Sequence, residues 1–217
     1  GKAIKLSSES GAGKTYIQGA EGAVVIMGPA ATLSGFTLTP KKDAKASGVV
    51  VVGKNNTISS NVIQDFSQSN NGFGMAVGGE DANAVIQGNI FRMNHCDSKP
   101  TSAVIRFKSS TKVLIQNNIF VNNTCSAIDM SLQVSGLTFV VNNTIVKIRV
   151  GIHVDRQFNT SQQMYLNNIV YQNGVGLYTT GNTMQTSLAW DNNLVFKNIE
   201  NYKGINDLTN KYGNISA

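Results

Sequence analysis

A short phrase built around asparagine returns along the chain, and this repeat constrains the fold more than any other feature. It reads Gly-Asn-Ile-Phe at 88–91, Asn-Asn-Ile-Phe at 117–120 and Asn-Asn-Ile-Val at 167–170. With a degenerate copy at Gly35, the second positions of the phrase are 25 to 29 residues apart and fall at 35, 61, 89, 118, 143, 168 and 193. A regular period of this length predicts a repeat architecture, in which each repeat is one structural unit that stacks on the next.

Each repeat also carries a second short apolar segment, often opened by a small residue. Examples are Gly48-Val49-Val50-Val51, Ala127-Ile128-Asp129-Met130 and Gly151-Ile152-His153-Val154. Two or three short strands in about 25 residues cannot bury an apolar face alone, so the units must stack. Leucine-rich repeats need a leucine consensus that is absent here, and propeller blades need about 40 residues or more. We therefore expect an all-β, single-stranded parallel β-helix of about eight coils over residues 1–199, with 200–217 as a cap or the start of a continuation.

The composition gives the asparagines a structural role. The chain has 26 asparagines and 21 glycines among 217 residues, and asparagine tolerates the left-handed backbone of a bend. Identical residues of stacked coils lie about 4.8 Å apart, so one side-chain amide can donate to the next. The sequence predicts such a ladder along Asn61, Asn89, Asn118, Asn143, Asn168 and Asn193, with a shorter companion along Asn117, Asn142, Asn167 and Asn192.

The two cysteines fall in register with each other. Cys96 and Cys125 each lie seven residues after the asparagine of their repeat. Two cysteines do not make a disulfide framework, and free cysteine behaves as a small buried hydrophobic residue. We expect them to stack as two buried small side chains rather than as a disulfide or a metal site.

Taken together, the Asn-Asn-Ile phrases, the Gly-x-x-x strand openers and the coil length resemble the right-handed parallel β-helices of the pectate-lyase-like superfamily. The resemblance covers roughly residues 1–200 and implies this fold. That superfamily includes pectate lyases, polygalacturonases, alginate lyases and epimerases, phage tailspikes and repeat proteins of unknown role. The resemblance implies a secreted or cell-surface bacterial protein. Its members usually begin with a capping helix, whereas this chain opens with strand-like Ala3–Leu6, so we expect further coils or a cap outside the chain.

The charge balance favours anionic partners. The net charge is +6, and seven basic residues lie between Lys99 and Arg156. Aromatic residues make up 7% of the chain, which is few for the exposed stacking platforms that single-stranded nucleic acid needs, so nucleic acid is a disfavoured partner. No apolar stretch approaches the roughly 20 residues of a transmembrane helix.

Strand alternation brings charged residues of the middle and late repeats onto one outward face. Aligning the second segments places Arg106, Asp129, His153 and Tyr178 in one outward column, and Lys108, Ser131, Asp155 and Thr180 in the next. The early repeats have small apolar residues at these positions. We expect a solvent-facing cluster, although ordinary cross-strand pairs on a solvated sheet give the same pattern.

Two chemistries fit this cluster. In β-elimination from a uronate, a cation neutralises the sugar carboxylate while a base removes the C5 proton; in hydrolysis, two carboxylates act as acid and base. The candidate catalytic residues are Asp129, His153 and Asp155, and the candidate substrate-binding residues are Arg106, Lys108, Arg156 and Tyr178.

The sequence thus favours binding of an anionic, uronate-containing polysaccharide. If the protein is an enzyme, a lyase or epimerase is favoured over a hydrolase, because basic residues outnumber paired acids on the face. The alternative is a non-catalytic repeat module of a surface or adhesin-type protein. No cofactor is expected; calcium is compatible with the chemistry, but the sequence has no cage of carboxylates for it.

Overall fold

A computed structural model describes residues 3–67, 75–96, 102–130, 136–155, 162–181, 188–205 and 213–216. Within these ranges the chain forms strands and no helix. The strands are β1 (Ile4–Ser7), β2 (Tyr16–Met27), β3 (Ala31–Ser34), β4 (Thr37–Val51), β5 (Asn56–Ser59), β6 (Val62–Gln64), β7 (Met75–Gln87), β8 (Ile90–Arg92), β9 (Ala103–Gln116), β10 (Ile119–Val121), β11 (Ser126–Met130), β12 (Thr138–Val141), β13 (Thr144–Val146), β14 (Val150–Asp155), β15 (Gln163–Leu166), β16 (Ile169–Tyr171), β17 (Val175–Thr180), β18 (Leu188–Asp191), β19 (Leu194–Phe196) and β20 (Glu200–Lys203).

The strands pair in parallel with the equivalent strand of the next repeat, and they form three stacks. Stack A holds β6, β8, β10, β13, β16 and β19; stack B holds β11, β14, β17 and β20; stack C holds β1, β3, β5, β12, β15 and β18. The long strands β2, β4, β7 and β9 contribute to two stacks each. The predicted parallel β-solenoid is confirmed.

The predicted asparagine ladder is confirmed at the corner between stacks C and A. Each Nδ2 donates to the Oδ1 of the next asparagine at 2.9–3.1 Å, from Asn61 through Asn193. Asn214 receives the last of these bonds, at 3.1 Å, and so extends the ladder by one residue. Each Oδ1 also accepts a backbone N–H of the preceding coil, for example Asn118 N to Asn143 Oδ1 at 3.0 Å. The buried amides thereby provide hydrogen-bond partners for the backbone groups at the corner, where strand pairing does not supply them.

The companion column has a different role from the one predicted. Asn117, Asn142, Asn167 and Asn192 have exposed side chains and φ values of 55° or 56°. They supply the left-handed residue of the corner, and the hydrogen bonds of the described ladder run through their neighbours. Asparagine is enriched here because it adopts this backbone at little cost.

A second ladder follows five residues after the first, at the corner between stacks A and B. Asn94 Nδ2 donates to Asn123 Oδ1 at 2.9 Å, and Asn173 Oδ1 accepts the backbone N–H of Ile148 at 2.9 Å. Asn198 continues the column by accepting the backbone N–H of Asn173 at 2.8 Å.

The inward positions of the three stacks form one continuous apolar core. Phe91 and Phe120 stack in stack A with ring centroids 4.8 Å apart, and Tyr165 and Trp190 stack in stack C at 4.0 Å. The hydroxyl of Tyr165 donates to Gln163 at 2.6 Å, and burial raises the pKa of this phenol well above its usual range. In stack B two inward columns are buried, one at Val49, Ile105, Ile128, Ile152 and Leu177, the other at Val51, Phe107, Met130, Val154 and Thr179.

The two cysteines form a disulfide, so the expectation of two unpaired stacked side chains is wrong. The Cα atoms of Cys96 and Cys125 are 4.9 Å apart, within the range of about 4.4–6.8 Å that a disulfide needs. In-register residues of adjacent coils lie at this spacing because parallel strand pairing sets the distance between the coils. The stacking that suggested two packed thiols is therefore also the geometry that joins them.

The two ends of the stack differ. At the N-terminal end the side chain of Leu6 is 47% exposed, although its register partner Leu33 is 1% exposed in the core. At the other end β20 pairs with β17, and Ile215 forms a bridge with Leu194.

Among the described residues, no helix has the length and apolar character needed to cross a membrane.

Candidate functional site

The outward face of stack B carries one continuous row of polar side chains, which we call the B-face row. It consists of Arg106, Asp129, His153, Tyr178 and Lys203. Each residue is the register partner of the next, one per coil, so neighbours are separated by the inter-strand spacing of about 4.8 Å. The predicted column from Arg106 to Tyr178 is confirmed as a structural alignment, and Lys203 extends it.

Small residues at the start of the B strands allow the coils to stack closely beside the row. A Cβ added to Gly151 would lie 2.4 Å from the carbonyl oxygen of Gly176, and one added to Gly176 would lie 2.6 Å from that of Asn201. These glycines are two residues before His153 and Tyr178. A side chain at either glycine would collide with the backbone of the next coil.

The centre of the row is a hydrogen-bonded pair. Nδ1 of His153 lies 2.9 Å from Oδ1 of Asp129, and the side chains are 3% and 0% exposed. Because a carboxylate only accepts, Nδ1 carries the proton and Asp129 fixes the orientation of the ring. The other ring nitrogen, Nε2, lies 3.3 Å from the hydroxyl of Thr180.

Aromatic and cationic groups flank the pair. The Tyr178 ring stacks on the imidazole of His153 with centroids 4.8 Å apart and an interplanar angle of 21°. The ammonium of Lys203 lies 5.5 Å from the Tyr178 ring centroid, within cation–π range. On the other side, Arg106 is half-buried in the coil before Asp129. A buried acid–imidazole pair is thus bordered by a cation at each end of the row.

Burial of the pair differs from the solvent-facing cluster that we expected. Asp129 and His153 are 1% and 3% exposed as whole residues, and β11 is buried along its full length. The neighbouring rungs cover much of each side chain, as the Tyr178 ring covers one face of the imidazole. Arg106, Tyr178, Asp155 and Thr180 are half-buried and form the accessible part of the face.

The remaining predicted site residues divide into three cases. Asp155 lies at the end of β14 as the register partner of Thr180, in the second outward column. The backbone of Lys108 pairs with Gly78 in stack B, whereas its side chain lies outside the described residues. Arg156 lies outside them altogether.

Two residues of the site were missed from the sequence. Lys203 lies 25 residues after Tyr178, so the repeat period extended past residue 199 would have found it. Thr180 was placed in the second outward column without a role, because the direction of the His153 ring does not follow from spacing.

Within the described ranges, no group of three or more His, Cys, Asp and Glu side chains is arranged to hold a metal ion.

The chain was compared with known proteins. Searches of curated proteins and of solved structures gave no match. Residues 22–206 match the family model described as "Right handed beta helix region". This range contains the first ladder from Asn61 to Asn193 and most of the three stacks, in agreement with the resemblance to pectate-lyase-like β-helices. The chain belongs to the right-handed β-helix family.

Proposed function

We propose that the protein binds an acidic, uronate-containing polysaccharide along the B-face row and acts on it by proton transfer. The observation that carries the proposal is the hydrogen-bonded Asp129–His153 pair with a cation in register on each side. The rungs are about 4.8 Å apart, close to the length of one sugar unit, so a chain laid along the row meets one side chain per residue. The net charge of +6 favours an anionic ligand.

The arrangement favours elimination or epimerisation over hydrolysis. In these reactions Arg106 neutralises the uronate carboxylate, and His153 removes the C5 proton through Nε2. The 3.3 Å contact of Nε2 with Thr180 is long enough to be exchanged for a substrate. Asp129 acts as a positioning residue that holds the ring. Inverting hydrolysis needs two carboxyl groups that both approach the glycosidic bond, and the side chain of Asp129 is fully buried behind the imidazole.

The disulfide supports an extracellular or cell-surface location. Disulfides persist in oxidising compartments and are rare in reducing ones. The pairing of Cys96 with Cys125 fits a protein that meets polysaccharide outside the cell.

Binding and turnover can be tested separately. We expect alginate or polygalacturonate to bind to the wild-type protein in calorimetry, and Arg106→Ala to weaken binding about tenfold, a loss of about 1.4 kcal/mol. Arg92→Ala is the matched control, because Arg92 is an exposed arginine of stack A. Equal affinities of the two variants would contradict the proposed binding face.

Turnover is followed by the ultraviolet absorbance of unsaturated products and, for epimerisation, by NMR of the polymer. His153→Gln is expected to lower the rate at least about 100-fold, as removal of a general base does. Binding without turnover on any acidic polysaccharide, unchanged in an Asp129→Ala/His153→Ala double variant, would identify a non-catalytic module instead.

A further inference from the structure

Thr180 gives the Asp129–His153 pair a third member. Its Oγ1 lies 3.3 Å from His153 Nε2, and His153 Nδ1 lies 2.9 Å from Asp129 Oδ1. In the neutral imidazole, the proton on Nδ1 is donated to Asp129, so Nε2 is the acceptor and the Thr180 hydroxyl donates to it. The order hydroxyl, imidazole, carboxylate is that of an activated nucleophile with its base and the group that orients the base.

Exposure increases from Asp129 through His153 to Thr180, which is the order that such chemistry requires. Asp129 and His153 are 1% and 3% exposed, whereas Thr180 is half-buried at the end of β17. The carboxylate and the imidazole are shielded from water, and the hydroxyl stands at the accessible end. With the Thr180 hydroxyl in place on Nε2, an incoming ligand meets Thr180 Oγ1 before the imidazole.

We propose that Thr180, His153 and Asp129 form a hydrolytic site for acyl esters, and that its substrate is an O-acylated acidic polysaccharide. The inference rests on the proposed polysaccharide-binding face, but not on the elimination chemistry assigned to it.

The reaction has two balanced steps. Thr180 Oγ1 attacks the ester carbonyl carbon while its proton passes to His153 Nε2; the bond from that carbon to the sugar oxygen breaks, and the proton follows the leaving sugar hydroxyl. Water then attacks the acyl-threonine, giving one proton to Nε2; the bond to Oγ1 breaks and the proton returns to Oγ1. The sum is ester plus water giving carboxylic acid plus alcohol, with Asp129 holding the imidazole throughout.

The test measures acetate released from chemically O-acetylated polygalacturonate and chromophore released from p-nitrophenyl acetate. Wild-type protein is expected to hydrolyse both, and Thr180→Val to lose at least about 100-fold in rate. Thr180→Ser, which keeps the hydroxyl, is expected to restore turnover. Thr144→Val is the matched control, since Thr144 is a half-buried threonine of stack A. Thermal unfolding of each variant checks that the fold is retained.

A second readout is independent of the rate. Intact-mass spectrometry of the wild-type protein quenched during turnover is expected to show one added acyl group. Mass spectrometry of a digest is expected to locate that group on the peptide that contains Thr180. Wild-type rates in Thr180→Val, or no hydrolysis of either ester by folded wild-type protein, would overturn the inference. Unsaturated products from non-acetylated polygalacturonate are assayed in parallel, so failure of the elimination chemistry is seen separately from failure of ester hydrolysis.

Discussion

Left-handed backbone positions are the residue-scale feature on which the corners depend. At the corner between stacks C and A they are occupied mostly by asparagine and glycine, which accept this conformation. At the corner between stacks A and B, several of the residues in left-handed positions accept this conformation less readily. The φ values at this corner lie between 52° and 65°, at Asp65, Met93, Asn122, Lys147, Gln172 and Lys197.

Replacing an unsuited residue at the second corner should stabilise the protein. Lys147→Asn keeps the Cβ but supplies a short polar side chain that can hydrogen-bond locally in the left-handed conformation, and we expect the free energy of unfolding to rise by about 0.5–1 kcal/mol. Urea unfolding measures the change. Lys112→Asn is the control, because Lys112 is an exposed lysine within β9, where asparagine is disfavoured. A midpoint that does not rise in Lys147→Asn would show that the corner carries no such strain.

The sequence predicts the first ladder but not the second for a reason visible at single residues. All six predicted positions of the first ladder hold asparagine, whereas Phe66 and Ile148 interrupt the second column at register positions equivalent to Asn94 and Asn123. The backbone N–H groups of Phe66 and Ile148 still join the column, because they donate to the asparagine of the next coil at 3.1 and 2.9 Å. Main-chain participation of this kind leaves no mark in the amino-acid pattern.

At the scale of the element, each corner is held by bonds that couple three successive coils. Nδ2 of Asn143 donates to the carbonyl of Ile115 and to Asn168 Oδ1, both at 3.0 Å, and its Oδ1 accepts from Asn118. All of these groups are buried, so a missing partner is not replaced by water.

Asn143→Ala is therefore expected to lower the free energy of unfolding by about 3 kcal/mol or more, since each buried group left without a partner costs about 1–3 kcal/mol. The neighbouring Asn142 provides the matched control: Asn142→Gly removes an exposed amide and keeps the left-handed backbone, and should change stability by less than about 1 kcal/mol. Calorimetric unfolding compares the two. Similar losses in both variants would mean that the ladder bonds contribute little.

The B-face row shows how far register reasoning extends at this scale. The repeat period is enough to place Arg106, Asp129 and His153 beside one another, because each coil adds one strand to stack B. It does not give burial, which depends on side chains of adjacent rungs lying over one another, nor the rotamer that turns His153 Nε2 towards Thr180. Register is a property of the backbone, and the chemistry of the site is a property of the rotamers.

At the scale of the whole molecule, the stack is a one-dimensional array in which each coil contacts its two neighbours. Stability in such an array is the sum of coil and interface terms, and unfolding spreads along the axis from the weakest interface. The disulfide bridges two adjacent coils in the middle of the chain and closes 29 residues of sequence. It adds a covalent link across one of these interfaces.

Removal of the disulfide is expected to destabilise the whole array. For a closed loop of this length the chain-entropy model gives about 3–4 kcal/mol, which corresponds to a fall in Tm of roughly 10 °C for a chain of this size. Cys96→Ala/Cys125→Ala should show this fall in scanning calorimetry. Reductant should lower the Tm of the wild-type protein to nearly the same value and leave the double variant unchanged. A wild-type Tm that does not respond to reductant would mean that the crosslink contributes nothing to the array. A variant that unfolds in two transitions would instead place the break between coils at this interface, because the coils on either side would then melt independently.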